Sequence, residues 1–226
     1  MLSPKIKFAF AFVLGFLYSC STTKLTSTKF KSEDLQNILL FETNSLSYTL
    51  NFSNQVFKND SLSNLQDKSF QEILINFKDS LRITSTIKLA DSTNFQRALV
   101  AIIEHGFSDG YFYEIKTYHV PPAMDSILRA NNRRYGLMII NFGVFRDQFD
   151  EFKRGVARNE IALKYDNYFP DEFLSKTYAA IIDTSKQDFI LLSRNLKKQN
   201  PLSTKTIHKQ FKELFAGIFF SEGCCP

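Results

Sequence analysis

The stretch from Tyr135 to Phe145, YGLMIINFGVF, is apolar at nearly every position. A strand with one wet face alternates apolar and polar side chains, whereas a continuous apolar run needs cover on both faces. This segment is therefore expected as the central strand of a sheet.

The surrounding pattern supplies its neighbours. The apolar end of residues 34–41 reads as a first strand, Ser47 to Phe52 as a second, Leu81 to Leu89 as a third because it is rich in β-branched residues, and Tyr111 to His119 as a fourth. Residues 54–68 are polar enough to read as loop. A short helix is expected over 67–77, with Phe70, Ile73, Leu74 and Phe77 at helical spacing. Another starts at Asp91 to Thr93, where Thr93 and Gln96 have capping-box spacing. Its face is Phe95, Leu99, Ile102 and Ile103, and Gly106 is its natural stop.

Pro121 and Pro122 open a third helix, since a proline in the first turn forfeits no hydrogen bond. Met124, Ile127 and Leu128 point inward, and it ends by Asn131 and Asn132. After the central strand the charge density jumps between Arg146 and Arg158, the mark of an excursion. A hairpin follows, Thr177 to Ile182 and Asp188 to Ser193, around a turn at Asp183 to Lys186. The last element is amphipathic, with Ile207, Phe211, Leu214, Phe215, Ile218 and Phe219 on one face and Ser203 or Thr204 as its cap. Helices alternate with strands and then give strand, strand, helix. That order predicts an α/β class, a single three-layer-type domain with a mixed sheet.

The N-terminus has another character. Lys5 and Lys7 precede an unbroken apolar run from Phe8 to Leu17, the order of a secretory signal, and the run is shorter than the roughly 20 residues a permanent spanning helix needs. It ends in Leu17-Tyr18-Ser19-Cys20, which resembles the lipobox of bacterial lipoproteins, although Tyr18 stands where a small residue is usual. The resemblance implies cleavage before Cys20 and diacylglycerol on its sulfur. Two or three acyl chains, at about 0.8 kcal/mol per buried methylene, attach a protein to a membrane essentially permanently. Ser21 after the cysteine, by likeness to the usual sorting pattern, implies the periplasmic face of an outer membrane.

Four regions are then expected: a signal peptide over 1–19, a lipidated flexible tether over 20–32, one α/β domain over 33–220, and a flexible tail over 221–226. The formal charge of +5 includes Lys5 and Lys7, which leave with the signal, and the remaining basic residues form no run. Nucleic-acid binding gains no support from that distribution.

No catalytic residue, metal site or cofactor is expected. The chain lacks G-x-S-x-G, a P-loop and G-x-G-x-x-G, and His105, His119 and His208 have no partners at metal-ligand spacing. His105 reads as a charge at a helix C-terminus, His119 as a residue at a strand end, and His208 as solvent-facing. Cys224 and Cys225 are adjacent in the tail, where a disulfide is strained and two thiols are half a metal site.

Asp147, Asp150 and Glu151 lie among basic residues and read as a solvated face. Phe145, Phe149 and Phe152 alternate with Arg146, Lys153 and Arg154. Aromatics with arginine are what interfaces favour, so Phe145, Arg146, Phe149, Phe152 and Arg154 are candidate partner contacts, with packing of the phenylalanines as the alternative. Partners are expected to be the membrane, through Cys20, and other envelope proteins.

The strand leading to Val120-Pro121-Pro122, Arg134-Tyr135 opening an apolar strand, Ile181-Ile182-Asp183 before a turn and the terminal helix together resemble small envelope lipoproteins. These share the three-layer α/β domain of the curli-secretion lipoprotein and the activator lipoprotein of penicillin-binding proteins. The resemblance carries over no functional residue. The anchor, the single α/β domain and the lack of a catalytic motif point to a non-enzymatic binding, assembly or regulatory module, with an envelope hydrolase as the alternative.

Overall fold

The computed structural model describes residues 22–26, 32–42, 45–51, 56–89, 92–108, 119–146 and 173–220. In chain order the elements are β1 (Thr22–Thr26), β2 (Ile38–Glu42), β3 (Leu46–Leu50), β4 (Val56–Lys58), α1 (Asp60–Phe77), β5 (Ile83–Lys88) and α2 (Ser92–Ser108). Then come α3 (Pro122–Ala130), β6 (Tyr135–Arg146), β7 (Phe173–Asp183), β8 (Asp188–Lys197) and α4 (Thr204–Phe215). Among the described residues no helix is long and apolar enough to cross a membrane.

The sheet runs β1-β8-β7-β6-β2-β5, with β3 also on β6 and β4 outside β3. The strand expected at the centre is β6, and it is long enough to serve two neighbours on one edge. β2 lies parallel beside Gly136 to Met138, and β3 lies parallel beside Phe142 to Arg146. The hairpin β7–β8 and the edge strand β1 add on antiparallel. The sheet is mixed and the class is α/β.

Between the two parallel contacts the register slips. Phe41 pairs with Met138 and Leu46 with Phe142, so the β2–β3 side carries one more residue than β6 over that interval. Strand side chains alternate with period two, and an extra residue exchanges the faces. Ile38 and Leu40 of β2 belong to one apolar cluster, whereas the odd-numbered Ser45 and Ser47 face that same side.

Helices cover both faces. On one, α1 and α4 enclose Leu137, Ile139, Ala179, Ile181 and Leu191. On the other, α2 and α3 bury Leu99, Ile103, Met124 and Leu128 against Met138, Ile140, Ala180 and Ile182. An aromatic seam joins α1 to α4: Phe211 stacks on Phe77 at 5.5 Å between ring centres and tilts onto Phe70 at 5.2 Å.

Several expectations change. The stretch read as loop contains β4 and the start of α1, which begins at Asp60, not Asp67, because the Asn59 side chain accepts from the Leu62 N–H at 3.0 Å and caps it. Its first turns show no apolar period because Ser63 and Gln66 are buried against β3 by hydrogen bonds instead of apolar contact. Thr22–Thr26, expected within the tether, is an edge strand: threonine is a good strand former and β8 offers an open ladder. α2 continues past Gly106 to Ser108.

α4 ends at Phe215, so Ile218 and Phe219 pack from the turn that follows it. His208, expected in solvent, lies against the Phe77 ring at 5.0 Å. His119 is exposed and bridges to Asp188, but the strand expected before it, residues 111–118, lies outside the described residues.

Candidate functional site

The strand ends nearest β1's first residue carry an unusual concentration of buried polar side chains. On the α1/α4 face β6 is apolar up to Ile139, and beyond it Asn141, Thr177 and Asn195 occupy one cross-strand row that ends at Thr22. The next row is Ser47, Gly143, Ser175 and Lys197.

The helices answer these rows with polar groups. Ser47 Oγ donates to Gln66 Oε1 at 2.5 Å, Ser175 Oγ donates to Gln210 Oε1 at 2.8 Å, and Gln210 Nε2 returns a bond to the Ser175 carbonyl at 3.1 Å. Glu213 is the hub: it accepts from Lys197 Nζ at 2.6 Å, Asn195 Nδ2 at 2.6 Å and Thr22 Oγ1 at 3.3 Å. Lys24 Nζ donates to the Ala216 carbonyl at 2.9 Å. Buried polar groups without partners are costly, and a connected set specifies one arrangement. Here the arrangement specified is β1 clasped to β8 and α4.

On the opposite face, at the same level, Glu104 of α2 accepts from Lys176 Nζ, Tyr178 Oη and Arg194 Nη1, the last at 2.6 Å. Burial alone would raise its carboxyl pKa. The hydrogen bonds from Lys176 and Tyr178 and the charges of Lys176 and Arg194 outweigh burial and hold it below the usual carboxylate range. The Tyr178 hydroxyl is pushed well above its ordinary value, first by burial and then by its bond to Glu104. These three bonds fasten α2 to β7 and β8.

A third constellation sits at the other end of β6 and β7. Arg134 makes a two-pronged ion pair with Asp183, Nε to Oδ1 at 3.0 Å and Nη2 to Oδ2 at 2.9 Å, and Ser185 adds its N–H and hydroxyl to Oδ1. Burial raises the Asp183 pKa, while the bonds from Arg134 and Ser185 outweigh it and bring the carboxyl below its ordinary value. The pair locks the hairpin turn onto the start of the central strand.

Neither a protein-family model nor a curated protein matches the chain. Among solved structures it is similar to the PelC dodecamer from Paraburkholderia phytofirmans, at 7% identity and a TM-score of 0.41, over 89% of this chain and 98% of that one. A point-substituted variant of the same dodecamer, in another crystal form, is similar at 7% identity and a TM-score of 0.38, over 88% and 98%.

Of the residues singled out from sequence, Phe145 is buried on β6, edge-on to Phe173 at 6.1 Å, and Arg146 ends that strand half-buried. Phe149, Phe152 and Arg154, with the lipobox and Cys20, lie outside the described residues, as do Cys224 and Cys225. Among the described residues no group of three or more His, Cys, Asp or Glu side chains could hold a metal. Glu104 and Glu213 carry no signal in the sequence and Asp183 shows there only as a turn residue, because their partners lie far away along the chain and only the fold brings them together.

β4 lies within the stretch expected as loop. Val56 and Phe57 on this three-residue edge strand are 59% and 52% exposed. Val56 pairs with Leu50, which pairs with Arg146, so the strand belongs to the same end of the sheet as the polar rows.

Proposed function

We propose that this protein is a lipid-anchored module of a bacterial envelope, attached through Cys20, with a non-enzymatic binding or assembly role in a larger complex. The observation that carries the reading is the sequence from Lys5 to Cys20, a basic start, a short apolar run and Leu17-Tyr18-Ser19-Cys20 at its end. The manner of attachment supports it. Thr22 is already hydrogen-bonded within the domain, so an acylated Cys20 would hold a folded body close to the bilayer.

The perturbed carboxylates are also consistent with a scaffold. Glu104 and Asp183 each bind their cations and hydroxyls within the fold, and each joins two or more elements. The periplasmic face of the outer membrane is the location we favour, from Ser21.

Two measurements test the reading. Mass spectrometry of the purified protein should find Cys20 as the first residue, bearing diacylglycerol; an unmodified thiol or a retained Met1 overturns it. Cross-linking and co-purification from detergent-solubilised membranes should then recover a complex, and a chain that emerges alone and monomeric contradicts the assembly role.

A further inference from the structure

We propose that the sheet end bearing β4 rests on the lipid surface to which Cys20 is attached, with Val56 and Phe57 entering the headgroup layer as a second contact. The inference rests on the acylation of Cys20 argued above.

Chain length sets the geometry. Cys20 precedes Thr22 by two residues, which reach at most about 7 Å even when extended. In register Thr22 stands opposite Asn195, Asn195 opposite Thr177 and Thr177 opposite Asn141. The strand direction therefore carries the chain from Thr22 back toward Cys20 at the end where β6 finishes at Arg146. β4 lies at that end on the far edge, five strand steps away along β1-β8-β7-β6-β3-β4, or roughly 24 Å at the usual spacing. A lipid attachment at one edge and an apolar contact at the other would define how the domain sits on a surface.

The chemistry of β4 favours a lipid occupant. Val56 and Phe57 are neighbours on a strand and project to opposite faces, and both are exposed. A flat protein surface covers one face of such an edge, whereas a headgroup layer surrounds it and covers both. An exposed aromatic ring suits that layer, where amphipathic and aromatic side chains concentrate. Lys58 already pairs with Asp60 at 2.7 Å. The contact is therefore apolar in origin and requires no anionic lipid.

The sequence contains no tryptophan, so one substitution gives a unique fluorophore. The Cys20-acylated full chain carrying Phe57→Trp is reconstituted into phosphatidylcholine vesicles whose acyl chains are brominated near the headgroup. The comparison variant is Ile75→Trp, at a position 71% exposed on the part of α1 that runs toward β5. Both sites are exposed, and circular dichroism checks that each variant keeps the fold. The expected result is a blue-shifted emission with loss of most of its intensity at position 57, and unquenched emission at position 75. Equal, unquenched emission at both positions in a chain shown to be acylated overturns the membrane contact and leaves the anchor standing. Absence of the acyl group by mass spectrometry overturns both together.

Discussion

Gly143 shows how much one absent methyl can decide. A Cβ built there would lie 2.5 Å from Gln66 Oε1 and 2.9 Å from Pro201 Cγ, so the glycine is what lets α1 and the loop before α4 close on the polar rows. Gly143→Ala should destabilise the protein by about 1–3 kcal/mol through overpacking, read as a lower denaturant midpoint with unchanged slope. Asp183 makes a pH-dependent prediction. Its pKa is lowered by folding, so its contribution is present above the unfolded value of about 3.9 and is lost as pH falls through the folded value. Asp183→Asn should cost about 2 kcal/mol at neutral pH, less than a fully buried pair because Arg134 is half exposed, and should flatten the decline in stability below about pH 4. Chemical denaturation from pH 3 to pH 7 checks both the size and the sign. At this scale sequence was a partial guide: Arg134 and Asp183 both stood in the quoted motifs, but nothing in their spacing says that they touch.

At the scale of elements, the aromatic seam between α1 and α4 is the most consequential contact. Phe211 is fully buried and meets Phe70, Phe77 and Phe215. Phe211→Ala should cost about 3–5 kcal/mol, since the loss of a buried ring leaves a cavity that its neighbours fill only in part. Thermal unfolding followed by circular dichroism would show it, and Phe211→Leu should recover most of the loss. Helical periodicity found the apolar face of α4 and the later half of α1. It missed the first turns of α1 because Ser63 and Gln66 are buried as hydrogen-bonding groups, and a polar inward face has no apolar period. It ran α4 past Phe215 because Ile218 and Phe219 keep the spacing although Gly217, with a φ of 76°, has turned the chain.

For the whole molecule, the unexpected element is β1. A free tether exchanges its amide hydrogens almost at once, whereas strand amides bonded into a sheet exchange only through local or global opening. Hydrogen exchange read by mass spectrometry should therefore find protection over Thr22–Thr26. Glu213→Ala should remove much of that protection while leaving β6 and β7 slow, because the glutamate ties β1 to β8 and α4 and touches neither central strand. Rapid exchange of Thr22–Thr26 in the unaltered protein would return this segment to the role of a tether.

Local sequence determined the class and most of the elements. An unbroken apolar strand must have two covered faces, prolines begin helices, and an amphipathic stripe needs a sheet to lie on; each is a short-range consequence of burying apolar surface. Tertiary structure alone decided what depends on distant partners: which strand edge accepts Thr22–Thr26, where a one-residue slip beside β6 turns serines inward, and which carboxylates find cations. Hydrogen bonds and ion pairs are directional and leave no period in the sequence, so the polar part of this interior becomes visible only once the chain has folded.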